Sequence, residues 1–206
     1  MQCPDEELAQ RWKEGDVSAF EALFRRYERR VLNVAARMIG NLDDAEDIKQ
    51  EAFIRAHRSI GGFRGGRFST WLFRIAANIC LDHARRHRSR GCSIGDLPEH
   101  AEWAEENAGA ADPEDELARN EFSRSVRSVL ASIPPHYRLL LVLRHIDEMS
   151  YEELAGVLGC SANALGVRLH RAREMFKERM KPFLARDGGS AESEMRRGKT
   201  KDITAL

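Results

Sequence analysis

The sequence predicts an all-α fold with two small helical domains joined by a flexible acidic linker. Helix-forming residues dominate the 206-residue chain, whereas Gly and Pro number only 15 and 6. Apolar residues recur at helical spacing through both ends of the chain. This spacing is lost between about residues 92 and 117, where GDLPEHAEWAEENAGAADPEDE is acidic and interrupted by prolines. A chain of this length can form two small domains.

Three helices are predicted in the N-terminal part, over residues 5–14, 17–39 and 43–59. Asp5 is placed to cap the first, Gly40 to end the second, and Asp43 or Asp44 to begin the third. The stretch GGFRGGRF that follows is predicted to form a turn. Because it lacks the Gly-Lys-Ser/Thr of a phosphate-binding loop, we interpret it as a connector.

A fourth helix is predicted over residues 68–90, with Ser69 as its cap, and it has two distinct faces. The apolar stripe consists of Leu72, Ile75, Ala76, Ile79 and His83. At about 100° per residue, a second face gathers Trp71, Arg74, Asn78, Leu81 and Arg85. A second face of this composition is unusual for a helix that is simply solvated.

The second face carries the side chains that unpaired nucleic acid requires. Arg74 and Arg85, with Arg86 beyond, can bind phosphates. Trp71 offers a ring on which a base can stack, worth about 1–3 kcal/mol, and Asn78 offers both a donor and an acceptor to a base edge. On spacing alone, a partly buried Trp71 and an ordinary surface Asn78 explain the pattern equally well.

The C-terminal part predicts a helix-turn-helix unit. It follows an amphipathic helix over residues 117–131 and another that opens at Pro135. Ser150 and Glu153 form a capping box, and Gly159 ends that helix. Ser161 caps the next helix almost at once, which is the spacing of a helix-turn-helix.

The second helix of this unit is predicted to end near Lys181, before Pro182, and to bury Leu165, Leu169, Ala172 and Phe176. Its outward residues are Asn163, Val167, His170, Arg171 and Lys177, flanked by Arg168 and Arg173. Such helices dock in the major groove, with arginines on phosphates and base edges. A packed helix pair with a solvated basic face is the alternative.

Charge is distributed in three blocks, although the net charge is zero. Residues 1–95 carry 17 Lys and Arg against 13 Asp and Glu, and residues 122–206 carry 15 against 10. Residues 96–121 between them carry ten acidic residues and one arginine. This asymmetry indicates a charged partner rather than a particular fold.

No metal, cofactor or membrane segment is predicted. The 4 cysteines include no CxxC pair, so reduced thiols are expected. Cys80, His83, His87 and Cys92 could ligate zinc, but packing of the apolar stripe explains this pattern as well. No apolar run approaches the roughly 18 residues of a membrane span, and the N-terminus is acidic, so a cytoplasmic protein is expected.

Two long stretches resemble the extracytoplasmic-function (ECF) sigma factors of the sigma-70 family. DAEDIKQEAFIRAHRSIGGFRGGRFSTWLFRIAANICLDHARR resembles their region 2, and IPPHYRLLLVLRHIDEMSYEELAGVLGCSANALGVRLHRAR resembles their region 4. The resemblance implies a non-enzymatic promoter-specificity subunit of bacterial RNA polymerase. It also implies region 2 over residues 1–92 and region 4 over residues 117–182. The composition of the remaining segments predicts an acidic flexible linker over residues 93–116 and a disordered tail over residues 183–206.

The resemblance implies roles for three groups of residues. Contact with the clamp coiled coil of the polymerase's largest subunit would involve Asp47, Gln50 and Glu51. Region 2 would recognise the minus-10 element with Trp71, Arg74, Asn78, Arg85 and Arg86, and Asn78 matches the family position that binds a flipped-out base. Region 4 would recognise the minus-35 duplex with Asn163, Arg168, His170, Arg171 and Arg173. The implied partners are the polymerase core, including its beta and beta-prime subunits, promoter DNA and an anti-sigma factor.

The recognition helix departs from the family pattern at three positions. Ala164, Gly166 and Val167 stand where the family commonly has threonine, lysine and serine, so three groups that could bond to DNA are missing. Gly166 also costs about 1 kcal/mol of helix stability relative to alanine. The upstream element would then be bound more weakly, or mainly through the basic residues that follow.

Two other functions fit parts of the sequence. A stand-alone helix-turn-helix regulator would bind duplex DNA without polymerase, but it would not need the Trp71–Asn78 face or the acidic patch around Asp47. A metal-dependent nuclease could use the acidic cluster that begins at Asp43. However, acidic residues at a helix start are sufficiently explained by the helix dipole, and the sequence contains no HExxH motif.

Overall fold

The computed structural model describes residues 3–89, 113–145 and 147–185. Within these ranges the chain is helical and contains no strand, which confirms the predicted all-α class. A 3-10 turn, Ile60–Gly62, follows the third helix. The α-helices are α1 (Asp5–Lys13), α2 (Val17–Ile39), α3 (Leu42–Ser59), α4 (Phe68–Ser89), α5 (Pro113–Ser132), α6 (Pro135–His145), α7 (Tyr151–Leu158) and α8 (Ala162–Leu184).

Helices α1 to α4 pack around a shared aromatic core. The Trp12 ring lies 4.9 Å from Phe20 and 6.2 Å from Phe68, and the Phe24 ring lies 4.6 Å from Phe53. Offset and edge-on ring contacts of this kind add to the free energy gained from burial. The core fixes α4 so that one face is buried and the other points outward.

Local capping explains the boundary between α2 and α3. Gly40 adopts the left-handed conformation with φ of 81° and ends α2, as predicted. α3 begins at Leu42 rather than at Asp43 or Asp44. The reason is that Asn41 Oδ1 accepts a hydrogen bond from the backbone N–H of Asp44 at 3.1 Å. Both aspartates therefore lie in the first turn, where the helix dipole favours negative charge.

Two other predicted caps differ from the structure. α1 begins at Asp5, but Pro4 occupies the cap position and no side-chain hydrogen bond caps the helix. The Asp5 carboxylate instead bonds to side chains of α2. α4 begins at Phe68, because the Arg67 carbonyl already accepts the backbone N–H bond from the first turn. Ser69 therefore lies inside the helix rather than at its cap.

The predicted caps of the helix-turn-helix unit are confirmed. Ser150 Oγ accepts from the Glu153 backbone N–H at 3.2 Å, and the Glu153 carboxylate accepts from the Ser150 N–H at 2.8 Å. Gly159 ends α7 with φ of 62°. Ser161 Oγ then accepts from the Ala164 N–H at 3.3 Å and caps α8.

Two helices are longer than predicted. α5 begins at Pro113, so residues 113–116 of the predicted linker are helical; proline suits a first helical turn, and acidic residues follow it. α8 continues through Pro182 to Leu184 instead of ending near Lys181. A proline so close to the end of a helix disturbs only the last turn. Beyond it, Phe183 is half-buried and packs against the core. The rest of the predicted linker and tail lies outside the described residues.

The N-terminal and C-terminal helices are docked on each other, α7 against α4 and α5 and α6 against α2. Arg30 and Asp147 form a two-pronged ion pair across this junction, with N···O distances of 2.7 and 2.9 Å. Arg138 is 2% exposed and donates to the carbonyls of Met38 in α2 and Ile133. Burial lowers the pKa of Arg138 to about 10. A buried guanidinium at this position requires both halves of the chain for its hydrogen bonds.

Candidate nucleic-acid interface

The outward face of α4 combines an amide, a guanidinium and an indole. Asn78 and Arg74 are exposed, and Trp71, one turn before Arg74, is half-buried. Residues three and four positions apart on a helix are neighbours on its surface. The structure therefore places the three side chains in one row, as the sequence predicted.

Trp71 also belongs to the aromatic core. Its ring centroid lies 5.5 Å from that of Phe63 and 5.7 Å from that of Phe68. The indole is thus anchored by the core on one side, as a partly buried Trp71 would be, while some of its surface remains accessible. An anchored ring loses little conformational entropy when a base stacks on it.

Arg74 is engaged by the C-terminal half of the chain. Its Nε donates to the carbonyl oxygen of Gly156 in α7 at 3.1 Å. The two helices approach closely at this point, since a Cβ added to Gly156 would lie only 2.7 Å from Thr70 Cγ2. Helical spacing does not reveal this pair, although a glycine inside a predicted helix is a signal for close packing.

An open cleft of about 530 Å³ lies beside this contact, between the starts of α4 and α7. Its charge is mixed: Arg67 pairs with Glu153 at 2.6 Å across the cleft. The walls are formed by Gly65, Gly66, Arg67, Thr70, Trp71 and Arg74 on one side and by Ser150, Glu152 and Glu153 on the other. In this arrangement acidic residues of α7 lie opposite the Trp71–Arg74 end of the α4 face.

The far end of α4 is basic and open. Arg85 and Arg86 are both exposed. Each contacts Asp82, Arg85 through the carboxylate at 3.1 Å and Arg86 through the backbone carbonyl at 3.3 Å. The ion pair of Arg85 with Asp82 joins exposed side chains and is worth less than about 1 kcal/mol, so it would oppose binding of another anion only weakly.

The outward face of α8 is also exposed as predicted. Asn163, Arg168, His170 and Arg171 are all exposed, and Val167 is 58% exposed beside them. A Cβ at Gly166 would meet nothing within 4 Å, so this glycine is not required by packing. The face is suited to duplex DNA in charge and in shape.

Arg173 is placed differently from the other predicted residues of α8. It is half-buried, and its Nε donates to His145 Nε2 at 3.4 Å. Burial, together with the positive charges of Arg173 and Arg144, lowers the pKa of His145 to about 4. Arg173 therefore connects α8 to the end of α6.

The acidic patch on α3 lies at the surface. Asp47 and Gln50 are exposed, and Glu51 is half-buried and paired with Arg55 at 2.7 Å. Ile54, four residues beyond Gln50, is 44% exposed. Ile54 is not among the residues predicted for this patch, although an apolar residue on the same helical face as the acidic ones is a signal for it.

Of the Cys-His pattern the structure describes Cys80, His83 and His87, and Cys80 does not join the two histidines in one group of potential ligands. Cys80 is buried in the core, and burial raises the pKa of its thiol to about 12, which disfavours the thiolate that binds metal. Cys92 lies outside the described residues. His83 and His87 instead stack on each other, with ring centroids 4.1 Å apart.

Comparison with known families identifies both halves of the chain. The family model for Sigma-70 region 2 matches residues 23–90, and the model for Sigma-70, region 4 matches residues 123–176. Among the described residues, none of the helices combines the length and the apolar character that crossing a bilayer requires.

Several characterised proteins are similar over most of their length. The RNA polymerase sigma-H factor of Pseudomonas aeruginosa is 34% identical over 184 residues, which is 87% of this chain and 95% of that protein. The ECF RNA polymerase sigma-E factor of Escherichia coli K12 is 33% identical over 191 residues, 90% of this chain and 98% of that protein. SigW of Bacillus subtilis is 33% identical over 173 residues, 82% and 92% of the two chains.

Two solved structures share the fold. CnrH in complex with the cytosolic domain of CnrY matches with a TM-score of 0.64 and 27% identity, over 86% of this chain and 97% of that chain. The sigma factor RpoE of Bartonella quintana, in complex with the anti-sigma factor NepR, matches with a TM-score of 0.58 and 24% identity, over 79% and 96%. The second likeness concerns the fold alone.

Proposed function

Because this chain belongs to the ECF sigma factors of the sigma-70 family, we propose that it binds core RNA polymerase, recognises the minus-35 and minus-10 promoter elements and promotes promoter melting. The observation that carries the proposal is the exposed Asn78 beside Arg74 on α4, in a chain that matches regions 2 and 4 in order. The protein would act in the cytoplasm, as a binding subunit that catalyses no reaction itself.

The α4 face is the proposed site for the minus-10 element. Asn78 can donate to and accept from the edge of an unpaired base, and Trp71 presents an anchored ring for stacking. Arg74, Arg85 and Arg86 would bind the phosphates of the separated strand. Because these contacts need unstacked bases, they favour the melted promoter over the intact duplex, and this differential affinity shifts the equilibrium toward opening.

The α8 face is the proposed site for the minus-35 element. Base edges and phosphates in the major groove would be contacted by the exposed residues Asn163, Arg168, His170 and Arg171. Arg173, which lies at the side of this face, would add a further contact. With Gly166 and Val167 in place of longer polar side chains, base contacts would depend on the basic residues. Phosphate contacts would then contribute most of the affinity.

The α3 patch is the proposed contact for the polymerase core. Asp47 and Gln50 are exposed and Glu51 is within reach of solvent. The exposed Ile54 adds an apolar centre to this otherwise polar surface, which is the composition of a protein interface. The partners would be the beta and beta-prime subunits, with the clamp coiled coil of the largest subunit on α3.

The docked arrangement would have to open before promoter binding. In this arrangement Arg74 is hydrogen-bonded to the Gly156 carbonyl, and acidic residues of α7 face the start of α4. The CnrH structure is a complex with the cytosolic domain of CnrY, and that of Bartonella RpoE is a complex with an anti-sigma factor. We propose that an anti-sigma factor likewise binds this protein and stabilises a form in which DNA is excluded.

The proposed domain division follows from these roles. Residues 1–92 would form region 2 and residues 117–182 region 4, with the linker ending where α5 begins at Pro113 and a disordered tail following the end of α8 at Leu184. The acidic linker would occupy the basic nucleic-acid channel of the polymerase and be displaced by RNA.

Run-off transcription with purified core polymerase tests the proposal. Core alone should give no promoter-dependent transcript, and addition of this protein should produce discrete transcripts from a subset of a promoter library. In addition, the polymerase complex should bind a pre-opened bubble more tightly than the matching duplex. Absence of promoter-dependent transcripts across the library would contradict the proposal, as would equal affinity for bubble and duplex.

A stand-alone duplex-binding regulator explains less of the chain. It would account for α7 and α8, but it leaves the match to Sigma-70 region 2 over residues 23–90 without a role.

A further inference from the structure

Three potential metal ligands from two helices meet at the end of α4. Asp44 lies in the first turn of α3, and His83 and His87 lie four residues apart near the end of α4. One ligand atom from each residue can be chosen so that all three atoms lie within 4.8 Å of one another. His83 Nε2 is 3.8 Å from Asp44 Oδ2, and the two imidazole rings stack with centroids 4.1 Å apart.

The donor set suits a first-row transition metal ion. Imidazole favours zinc, copper, iron and nickel, and a carboxylate completes a site with two nitrogens and one oxygen. Metal–nitrogen and metal–oxygen bonds are about 2.0–2.2 Å long, so ligand atoms around one ion lie roughly 3–3.5 Å apart. Small rotations about the side-chain bonds would bring the three atoms from their present separations to such distances.

The position of the cluster also suits binding. All three residues are half-buried, with the His83 side chain 17% exposed and the Asp44 side chain 37% exposed. Solvent therefore reaches the ligand atoms, while packing of α3 against α4 restricts their movement. Because the histidines come from one helix and the aspartate from another, both helices must be folded for the three ligands to meet.

We propose that Asp44, His83 and His87 form a binding site for a divalent transition metal ion such as zinc, with water in the remaining positions. Cys80 is not a ligand, because it is buried in the core, and a carboxylate from α3 supplies the third ligand. A bound ion would link the start of α3 to the end of α4 and stabilise the N-terminal bundle by binding only its folded form. This site is independent of the proposed promoter-binding function.

Cobalt titration of the untagged, chelator-treated full-length protein tests the site. The wild-type protein should bind one Co²⁺ per chain with visible d–d absorption and without the intense thiolate-to-cobalt band. Zinc should displace the cobalt and raise the temperature of unfolding. Asp44→Asn and His87→Gln, which retain the size of each side chain, should each weaken binding by about tenfold or more.

Two matched variants complete the test. His136→Gln replaces an exposed histidine at the start of α6 and should leave cobalt binding unchanged. Cys92→Ser should also leave it unchanged. The proposal would be overturned by failure of the wild-type protein to bind cobalt, by unchanged binding in Asp44→Asn and His87→Gln, or by a thiolate band that disappears in Cys92→Ser. Circular dichroism of each variant separates loss of the site from loss of the fold.

Discussion

The guanidinium of Arg74 donates a hydrogen bond to the carbonyl oxygen of Gly156, with 3.1 Å between Nε and the oxygen. Arg74 belongs to the proposed minus-10 site, whereas Gly156 belongs to α7 in the helix-turn-helix unit. Arg74 Nη2 donates to the same oxygen. Hydrogen bonds of charged groups contribute about 1.5–3 kcal/mol, and a phosphate offers this guanidinium a stronger, charge-assisted partner. Docking of the two halves would therefore compete with the proposed binding of a separated DNA strand at Arg74.

Gly156→Ala should open the docked arrangement. The added Cβ would lie 2.7 Å from Thr70 Cγ2, so the Thr70 side chain must rotate or α7 must move away from α4. Overpacking of this kind costs about 1–3 kcal/mol, which exceeds the gain of about 1 kcal/mol in helix propensity. We expect a larger radius of gyration by small-angle X-ray scattering.

Two variants control this prediction. Thr70→Ser removes the clashing methyl group and, combined with Gly156→Ala, should restore the compact form. Gly166→Ala adds a Cβ that meets nothing within 4 Å and should leave the scattering unchanged. If Gly156→Ala scatters as the wild-type protein does, the close approach does not hold the halves together.

Asn78→Ala should impair promoter opening without affecting the fold. Asn78 is exposed, and surface substitutions of this type usually change the free energy of unfolding by less than about 0.5 kcal/mol. Loss of a two-pronged base contact costs about 1–3 kcal/mol, so we expect about a tenfold decrease in open complexes, measured by permanganate reactivity of the melted region. Core binding should be unchanged.

Asn163→Ala is the matched control for Asn78→Ala. It removes an exposed amide from α8 and should weaken binding to minus-35 duplex, while open complexes formed on a pre-melted template should be unaffected. Unchanged permanganate reactivity in Asn78→Ala would assign base recognition to another residue.

Arg171→Ala and Arg173→Ala should have different effects. Arg171 is exposed, so its loss should weaken duplex binding at all sequences and reduce the slope of log K against log salt by about 1. Arg173 is half-buried against His145, so its loss should lower the free energy of unfolding more than Arg171→Ala does. Equal salt slopes for wild type and Arg171→Ala would remove Arg171 from the phosphate contacts.

Several helix boundaries in this chain were predictable from local capping groups, although the local cap at Asn41 was missed and Ser69 was wrongly assigned as a cap. Ser150 with Glu153, and the glycines at 40 and 159, act through bonds within a few residues, and all were identified from the sequence. The end of α8 was not predicted correctly. Phe183, which follows Pro182, packs on distant residues, and this packing outweighs the tendency of the proline to end the helix. Capping propensity is a local property, whereas packing is not.

The docking of the two halves could not be predicted from periodicity. The Thr70–Gly156 approach and the hydrogen bonds of Arg138 to α2 join residues far apart in the chain, and no spacing rule relates them. The same limit applies to Asp44, which joins His83 and His87 only through the register of α3 on α4. The sequence placed the Trp71–Asn78 row on one face correctly, because helical spacing alone determines which side chains are neighbours.

The stability of the protein should fall between pH 6.5 and about 4 through His145. Burial lowers the pKa of His145 from 6.5 to about 4, assisted by the charges of Arg173 and Arg144. Over this range the unfolded state binds a proton that the folded state does not, so the free energy of unfolding decreases as the pH falls. After allowance for solvent screening, we expect this residue to contribute about 1 kcal/mol to the decrease in the free energy of unfolding.

His145→Gln isolates this contribution from that of the carboxylates. Denaturant unfolding at pH 7 and pH 5 should show a smaller loss of stability in His145→Gln than in the wild-type protein, since glutamine takes up no proton in either state. His136→Gln, at an exposed position of the same helix, should follow the wild-type curve. A His145→Gln protein that loses as much stability between these pH values as the wild type would show that the imidazole is protonated equally in both states. In that case the contact between Arg173 and His145 cannot require a neutral ring.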